Sequence, residues 1–277
     1  MQSYVLITGA AGGLGKAFAA ECAARGWDLL LTDLSEQALA LTAQGIERLY
    51  GVEVLVEPAN LSDPASLAAL WARIRRRGLR FHMLINVAGI DHEGPFSERS
   101  VEELCSIVRL NVEGTLHMSR RSLEFRDPAR TLRIINVSSL AGFYPMPLKA
   151  VYAASKRFLL DLSLALSQEL RAGDVTVTAL CPAGMPTNSA CIRAIDAQGL
   201  MGRVTTMNVG DVVVRTLDQA LAGRTVVVPG LVNRFMRLAG GLLPRVTLAW
   251  LINRRWAQAR ARAGAAALPR SAEASAD

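Results

Sequence analysis

Short apolar runs alternate with longer amphipathic stretches from the first residues to about residue 230. The runs lie near Tyr4–Thr8, Asp28–Leu31, Val52–Val56, Met83–Asn86, Arg133–Ser138, Val175–Leu180 and Thr225–Val228, and several are almost continuously apolar. A strand covered on both faces reads this way, because neither row of its side chains meets water. Between the runs, the spacing predicts helices at Leu14–Arg25, Ser35–Leu49, Pro64–Arg76, Val101–Ser122, Tyr152–Arg171 and Val209–Ala222. Strands that follow one another in parallel need a crossover, and a helix supplies it. The pattern therefore predicts an α/β fold, a doubly wound parallel sheet of about seven strands with helices on both faces. A chain of 277 residues has room for one such domain, over residues 1–230, and not for two.

The first run opens directly into Thr8-Gly9-Ala10-Ala11-Gly12-Gly13-Leu14-Gly15. Glycines let the backbone turn sharply and come close to a ligand. The helix beginning near Leu14 then points its free N–H groups at the turn, and that end attracts a pyrophosphate. Asp33 closes the second run, 18 residues beyond Gly15. A carboxylate there accepts hydrogen bonds from ribose hydroxyls and repels the extra phosphate of NADP. The following residues, Leu34-Ser35-Glu36, hold no arginine, so NAD is the expected cofactor. The competing reading makes Asp33 a cap for the next helix.

Tyr152 and Lys156 stand four apart, on one face of a helix. A neighbouring ammonium lowers the pKa of a phenol and makes it a usable acid–base group. Among 31 basic residues only Lys16, Lys149 and Lys156 are lysines, so a lysine at this position runs against the habit of the chain. Lysine is a compact donor able to join a proton relay, whereas arginine stays protonated. Ser138 and Ser139 end the run Ile134–Val137, and Ser139 lies 13 residues before Tyr152. A hydroxyl at that strand edge can orient a substrate oxygen, or simply cap the turn.

Taken together, Thr8-Gly9-x-x-x-Gly13-x-Gly15, Asn86-Val87-Ala88-Gly89, Leu110-Asn111-Val112, Ser139 and Tyr152-x-x-x-Lys156 resemble the short-chain dehydrogenase/reductase family over residues 3–230. The resemblance implies a Rossmann-type fold and a catalytic tetrad of Asn111, Ser139, Tyr152 and Lys156, with Asn111 holding a water that links Lys156 to solvent. It also implies cofactor contacts from Gly9, Gly12, Gly13, Leu14, Gly15, Asp33, Asn60, Leu61, Asn86, Ala88, Gly89, Tyr152, Lys156, Pro182, Met185 and Thr187. Three positions depart from the family pattern: Val87 replaces an asparagine, Asn60 an acidic residue, and the Pro-Gly after the sixth strand reads Pro182-Ala183-Gly184.

By the same resemblance, Ile90–Phe96, Leu140–Leu148 and Gly184–Met207 frame the substrate. Phe96, Phe143, Tyr144, Met146 and Met185, with Ile192, Ile195, Leu200 and Met201, give an apolar lining, and Arg193 is the one candidate for an anionic group. An extended hydrophobic alcohol or ketone of steroid, bile-acid or acyl-chain type fits such a lining better than a polyol. A binding-only, redox-responsive protein on the same scaffold is the competing function, and it has no physical need of Ser139, Tyr152 and Lys156 together.

Cys22, Cys105, Cys181 and Cys191 have no CxxC spacing, and His82, His92 and His117 are scattered, so neither a disulfide framework nor a metal site is expected. The absence of a leader-like or membrane-length apolar run predicts a cytoplasmic protein. Of the net charge of +7, residues 231–277 carry +6, which argues against a broad nucleic-acid surface. That segment, from Leu231 to Trp256, alternates apolar and cationic residues around Gly240-Gly241 and Pro244. Two readings stay open for residues 231–262: an amphipathic contact with an anionic membrane, or a helix pair over the substrate pocket or a subunit interface. Apolar residues on more than one face of Val101–Ser122 and Tyr152–Arg171 predict a homodimer or homotetramer.

Overall fold

The computed structural model describes residues 2–185, 205–241 and 243–266. Its strands are β1 (Tyr4–Thr8), β2 (Leu29–Thr32), β3 (Val54–Val56), β4 (Phe81–Asn86), β5 (Leu132–Val137), β6 (Val175–Leu180) and β7 (Val226–Val227). They form one seven-stranded sheet in the order β3-β2-β1-β4-β5-β6-β7, every pairing parallel. This is the doubly wound, Rossmann-like sheet that the alternation predicts. The strand order reverses between β1 and β4, and a crevice opens at such a point beyond the carboxyl ends of the strands.

The helices are α1 (Gly13–Ala24), α2 (Glu36–Tyr50), α3 (Pro64–Arg76), α4 (Val101–Val108), α5 (Thr115–Ser122), α6 (Ala150–Glu169), α7 (Val209–Leu221), α8 (Leu231–Gly241) and α9 (Arg245–Ala266). Strand side chains divide the core between the two faces of the sheet. Val5 and Ile7 of β1 pack with Phe18, Cys22, Leu39 and Val213 from α1, α2 and α7. Tyr4 and Leu6 point the other way, to Leu67, Trp71, Ile74 and Met118 from α3 and α5. Local signals set the helix starts. Asp63 caps α3 by accepting from the Ala65 and Ser66 N–H groups, and Ser100 with Glu103 forms a capping box on α4.

One predicted helix is broken. In place of an unbroken Val101–Ser122, the chain widens into a π-type turn at Arg109–Gly114. Gly114 packs against the Leu61 carbonyl, where an added Cβ would come within 3.0 Å of the oxygen. This approach is tertiary, and apolar spacing carries no trace of it. Outward on α4, α5 and α6, Val108, Leu116, Phe158 and Leu164 are exposed. Helices α8 and α9 follow β7, and their boundary falls at Gly241 and Pro244.

Candidate active site

The glycine turn is locked by contacts that tolerate no side chain. Gly9 has φ +64°, and a Cβ there would meet the Ala88 nitrogen at 2.7 Å; at Gly15 it would meet the Gly9 carbonyl oxygen at 2.1 Å. Thr8 Oγ1 ties the turn to the next strand end, accepting from the Val87 and Ala88 N–H groups at 3.1 and 3.2 Å. Helix α1 has Gly12 at its N-cap and no side-chain capping bond, and Gly13 and Leu14 form its first turn. Its first N–H groups are therefore left for an anionic ligand, as a dinucleotide pyrophosphate requires. Asp33 sits beside this turn. Its Oδ2 accepts from the Ala11 N–H at 3.0 Å and its Oδ1 from the Leu34 N–H at 2.7 Å. The cap of α2 is Ser35, which accepts from Ala38 N–H. Asp33 is thus fixed at the mouth of the glycine turn, with lone pairs remaining for ribose hydroxyls.

Asn60 uses its Oδ1 to accept from the Ser62 N–H at 3.0 Å, while Leu61 is buried next to Gly114. The Asn86 side chain turns away from the crevice. Its Nδ2 donates to Ser119 Oγ and Asn136 Oδ1, and Asn136 passes the chain on to Ser163. Its contribution to the site is therefore positional: this buried network anchors the strand end from which Ala88 and Gly89 project. Val87 packs on the core. Pro182 accepts from Leu140 N–H at 2.8 Å, and Met185 packs against the core on the α1 side. Thr187, Cys191, Ile192, Arg193, Ile195, Leu200 and Met201 lie outside the described residues.

Lys156 is buried beneath Tyr152. Its Nζ lies 5.6 Å from the centre of the Tyr152 ring and donates to the Val137 carbonyl at 2.8 Å. Gly89 backs onto the same ammonium, where an added Cβ would stand 3.2 Å from Nζ. Burial pushes the Lys156 pKa down to about 8. Asn111 is fully buried in the π-type turn. Its Oδ1 accepts from Ile90 N–H at 2.9 Å, and its Nδ2 donates to the Ile90 carbonyl at 3.0 Å and to Ser155 Oγ at 3.1 Å. One amide thereby joins the loop after β4 to helix α6. Ser155 in turn donates to the Tyr152 carbonyl. Ser139 heads a short 3-10 turn, Leu140–Phe143, accepting from Ala141 N–H at 3.1 Å. Its cap role and its place at the strand edge are compatible, because the hydroxyl proton is still free to be donated.

Four residues had no assigned site role in the sequence. Ser138 donates to the Lys156 carbonyl at 2.6 Å and pins α6 to the end of β5. Lys149 precedes Tyr152 by one turn and pairs with Asp91 at 2.6 Å and Glu93 at 2.7 Å. Burial works against the Lys149 ammonium, but these carboxylates outweigh it and raise its pKa. The signal was present for Lys149, one of the three lysines in an arginine-rich chain. Asp91 and Glu93 carried no such mark.

Of the apolar residues expected to frame the substrate, Phe96, Phe143, Tyr144, Met146 and Met185 are described. Phe96 is exposed on a 3-10 turn and lines a small cleft with His92, Leu148 and Tyr152. Tyr144 is half-buried, and α8 leans on it: a Cβ at Gly240 would stand 2.2 Å from the ring. Arg237 of α8 lies over the Phe143 ring at 5.2 Å. Met146 lies on the same loop, half-buried. Helix α8 therefore borders the turn that follows Ser139. Among the described residues no cluster of His, Cys, Asp and Glu could hold a metal ion, and Cys22, Cys105 and Cys181 are unpaired.

The short chain dehydrogenase family model matches residues 3–193. A very-long-chain 3-oxoacyl-CoA reductase from Laccaria bicolor is 32% identical over 179 residues, 63% of this chain and 52% of that protein. The 17-beta-hydroxysteroid dehydrogenase type 3 of Homo sapiens is 29% identical over 191 residues, 68% of this chain and 60% of that one. The chain thus spans about half the length of the first of these relatives. A short-chain dehydrogenase from Sphingobium yanoikuyae, solved in complex with NADPH, superposes with a TM-score of 0.75 at 29% identity and covers 99% of this chain and 98% of its own. With the glycine turn, the buried lysine beneath a tyrosine and the reversed strand order already in place, these matches establish that the chain belongs to the short-chain dehydrogenase/reductase family of oxidoreductases.

Proposed function

We propose that the protein interconverts a secondary alcohol and a ketone on an extended hydrophobic substrate, with NAD as cofactor and Tyr152 as general acid and base. The observation that carries this reading is the buried Lys156 ammonium 5.6 Å from the centre of the Tyr152 ring. A cation so placed stabilises the phenolate more than the phenol. In oxidation Tyr152 takes the hydroxyl proton; in reduction it returns a proton to the carbonyl oxygen. Ser139 Oγ donates to that oxygen and orients it. Asn111 holds the Ile90 backbone and Ser155 in place. Bound nicotinamide supplies the acceptor or donor of hydride. NAD is favoured because Asp33 is anchored at the glycine turn, where a carboxylate repels a ribose phosphate. Apolar Phe143, Tyr144 and Met146, and the printed names of the acyl-CoA and hydroxysteroid relatives, support the hydrophobic substrate class. Exposed Val108, Leu116, Phe158 and Leu164 support a homodimer or homotetramer.

The test is reduction of NAD and of NADP with a panel of hydrophobic secondary alcohols, including steroids, bile acids and acyl-chain alcohols, run beside Tyr152→Phe. Turnover with NAD is expected, and the variant should lose about 10²–10⁴-fold in kcat while NADH still binds, read by its fluorescence. Full activity in Tyr152→Phe would overturn the mechanism, and a strong NADP preference would overturn the role of Asp33.

A further inference from the structure

Among the described residues, helices α8 and α9 each carry an exposed apolar stripe. On α8, Leu231, Phe235 and Leu238 are 82, 70 and 68% exposed, and their i, i+4, i+7 spacing puts them in one stripe. On α9, Val246 and Trp250 stand four apart at 82 and 56% exposure. The opposite side of α8 is fixed to the domain. Asn233 is buried and donates to the Thr205 and Pro229 carbonyls, Arg234 Nε donates to the Val228 carbonyl, and Gly240 meets Tyr144. The outward stripe is therefore held in a set orientation.

Charge selects its partner. Residues 231–266 contain seven arginines and no aspartate, glutamate or lysine. Arg254 lies over the Trp250 ring at 5.5 Å, so cation and aromatic share one patch. We propose that this face docks the protein on an anionic lipid surface, with the apolar stripe in the headgroup boundary and Arg245, Arg254 and Arg255 on lipid phosphates. No described helix is long and apolar enough to cross a membrane, so the unit lies on the surface. A second copy fits the face less well. Two-fold pairing would bring the same arginines together without a carboxylate from either segment. The docking stands apart from the oxidoreductase reading, and its test reads no turnover. If both hold, α8 has one side on lipid and the other on the turn after Ser139, a short path for a bilayer-dissolved substrate.

The test sediments the full chain with phosphatidylcholine vesicles and with the same vesicles doped with phosphatidylglycerol. Binding is expected on the doped vesicles, weakened roughly tenfold or more on the neutral ones and in high salt. Phe235→Glu with Trp250→Glu should abolish it, with thermal unfolding and NADH binding unchanged. Arg254→Gln with Arg255→Gln, which leaves the apolar stripe intact, should weaken binding roughly tenfold. Equal binding to both vesicle types, or binding to neither, overturns the proposal. So does a dimer in sedimentation velocity that Phe235→Glu with Trp250→Glu splits while the native chain ignores doped vesicles; that outcome makes the face a subunit contact.

Discussion

Lys156 meets two opposed demands. Its charge is useful only near Tyr152, and that place is buried, where an ammonium is costly. The depressed pKa of about 8, against 10.5 for a free lysine, measures the cost. Protonation is harder in the folded chain than in the unfolded one. The penalty is thus fully present below pH 8, shrinks as pH rises from 8 to 10.5, and is gone above 10.5. Replacing Lys156 by methionine removes it, along with the phenolate-stabilising charge. The variant should be inactive. Its stability relative to the native chain should fall by roughly 2–3 kcal/mol between pH 7 and pH 10, because only the native chain gains over that window. The lost bond to the Val137 carbonyl is independent of pH and cancels in the comparison. Urea unfolding of both proteins at the two pH values reads the difference; parallel curves would show that Lys156 is not desolvated. The four-residue spacing of Tyr152 and Lys156 was legible in the chain. The burial that makes the pair work was not, since Gly89 and Val137, which enclose it, are remote in sequence.

At the scale of elements, alternation was enough to read every strand of the sheet to within two or three residues. What escaped it were features made by contacts between distant segments. The π-type turn at Arg109–Gly114 arises where Asn111 reaches the Ile90 backbone and Gly114 meets Leu61. The Asn86 side chain serves a buried chain of amides and hydroxyls reaching Ser163, instead of the crevice its motif suggested. Helix α8 illustrates the same limit. Its amphipathic pattern was plain, but which element it packs on was open until Gly240 was found against Tyr144. That contact makes α8 part of the wall beside Ser139. Gly240→Val should force the Tyr144 ring and α8 apart, an overpacking cost of roughly 1–3 kcal/mol. Much of that should fall on substrate contacts, lowering kcat/KM for a hydrophobic alcohol roughly tenfold. NADH affinity should not change, since the glycine turn lies elsewhere. Kinetics with a bulky and a small alcohol check it: equal loss for both would detach α8 from the substrate wall.

Across the whole molecule the two edges of the sheet have different duties. The glycine turn and the Tyr152–Lys156 pair lie at the carboxyl ends, where β1 and β4 part. Strand β4 runs from the amino edge to the carboxyl edge, with His82 near its start and Asn86 at its end. His82 is buried, Ser3 Oγ lies 3.2 Å from its Nδ1, and Trp27 meets its ring edge-on. Burial first, and then Arg130 and Arg133, push its pKa down to about 4 from 6.5. A histidine kept neutral in the fold but free to charge when unfolded stabilises fully above pH 6.5. That contribution is lost as pH falls from 6.5 through 4. The acid limb of the stability curve should therefore hold a loss of roughly 3 kcal/mol traceable to this one ring. His82→Gln, which cannot charge, should start less stable at pH 7 through poorer packing and then lose less as the pH drops to 4. Because the ring sits at the edge away from Tyr152, turnover at pH 7 should match the native protein. Denaturant unfolding at several pH values, with kcat measured alongside, separates the two edges. A variant that keeps the full acid limb would place the proton uptake elsewhere, and one that loses turnover would join the two ends of β4 in a way the packing does not suggest.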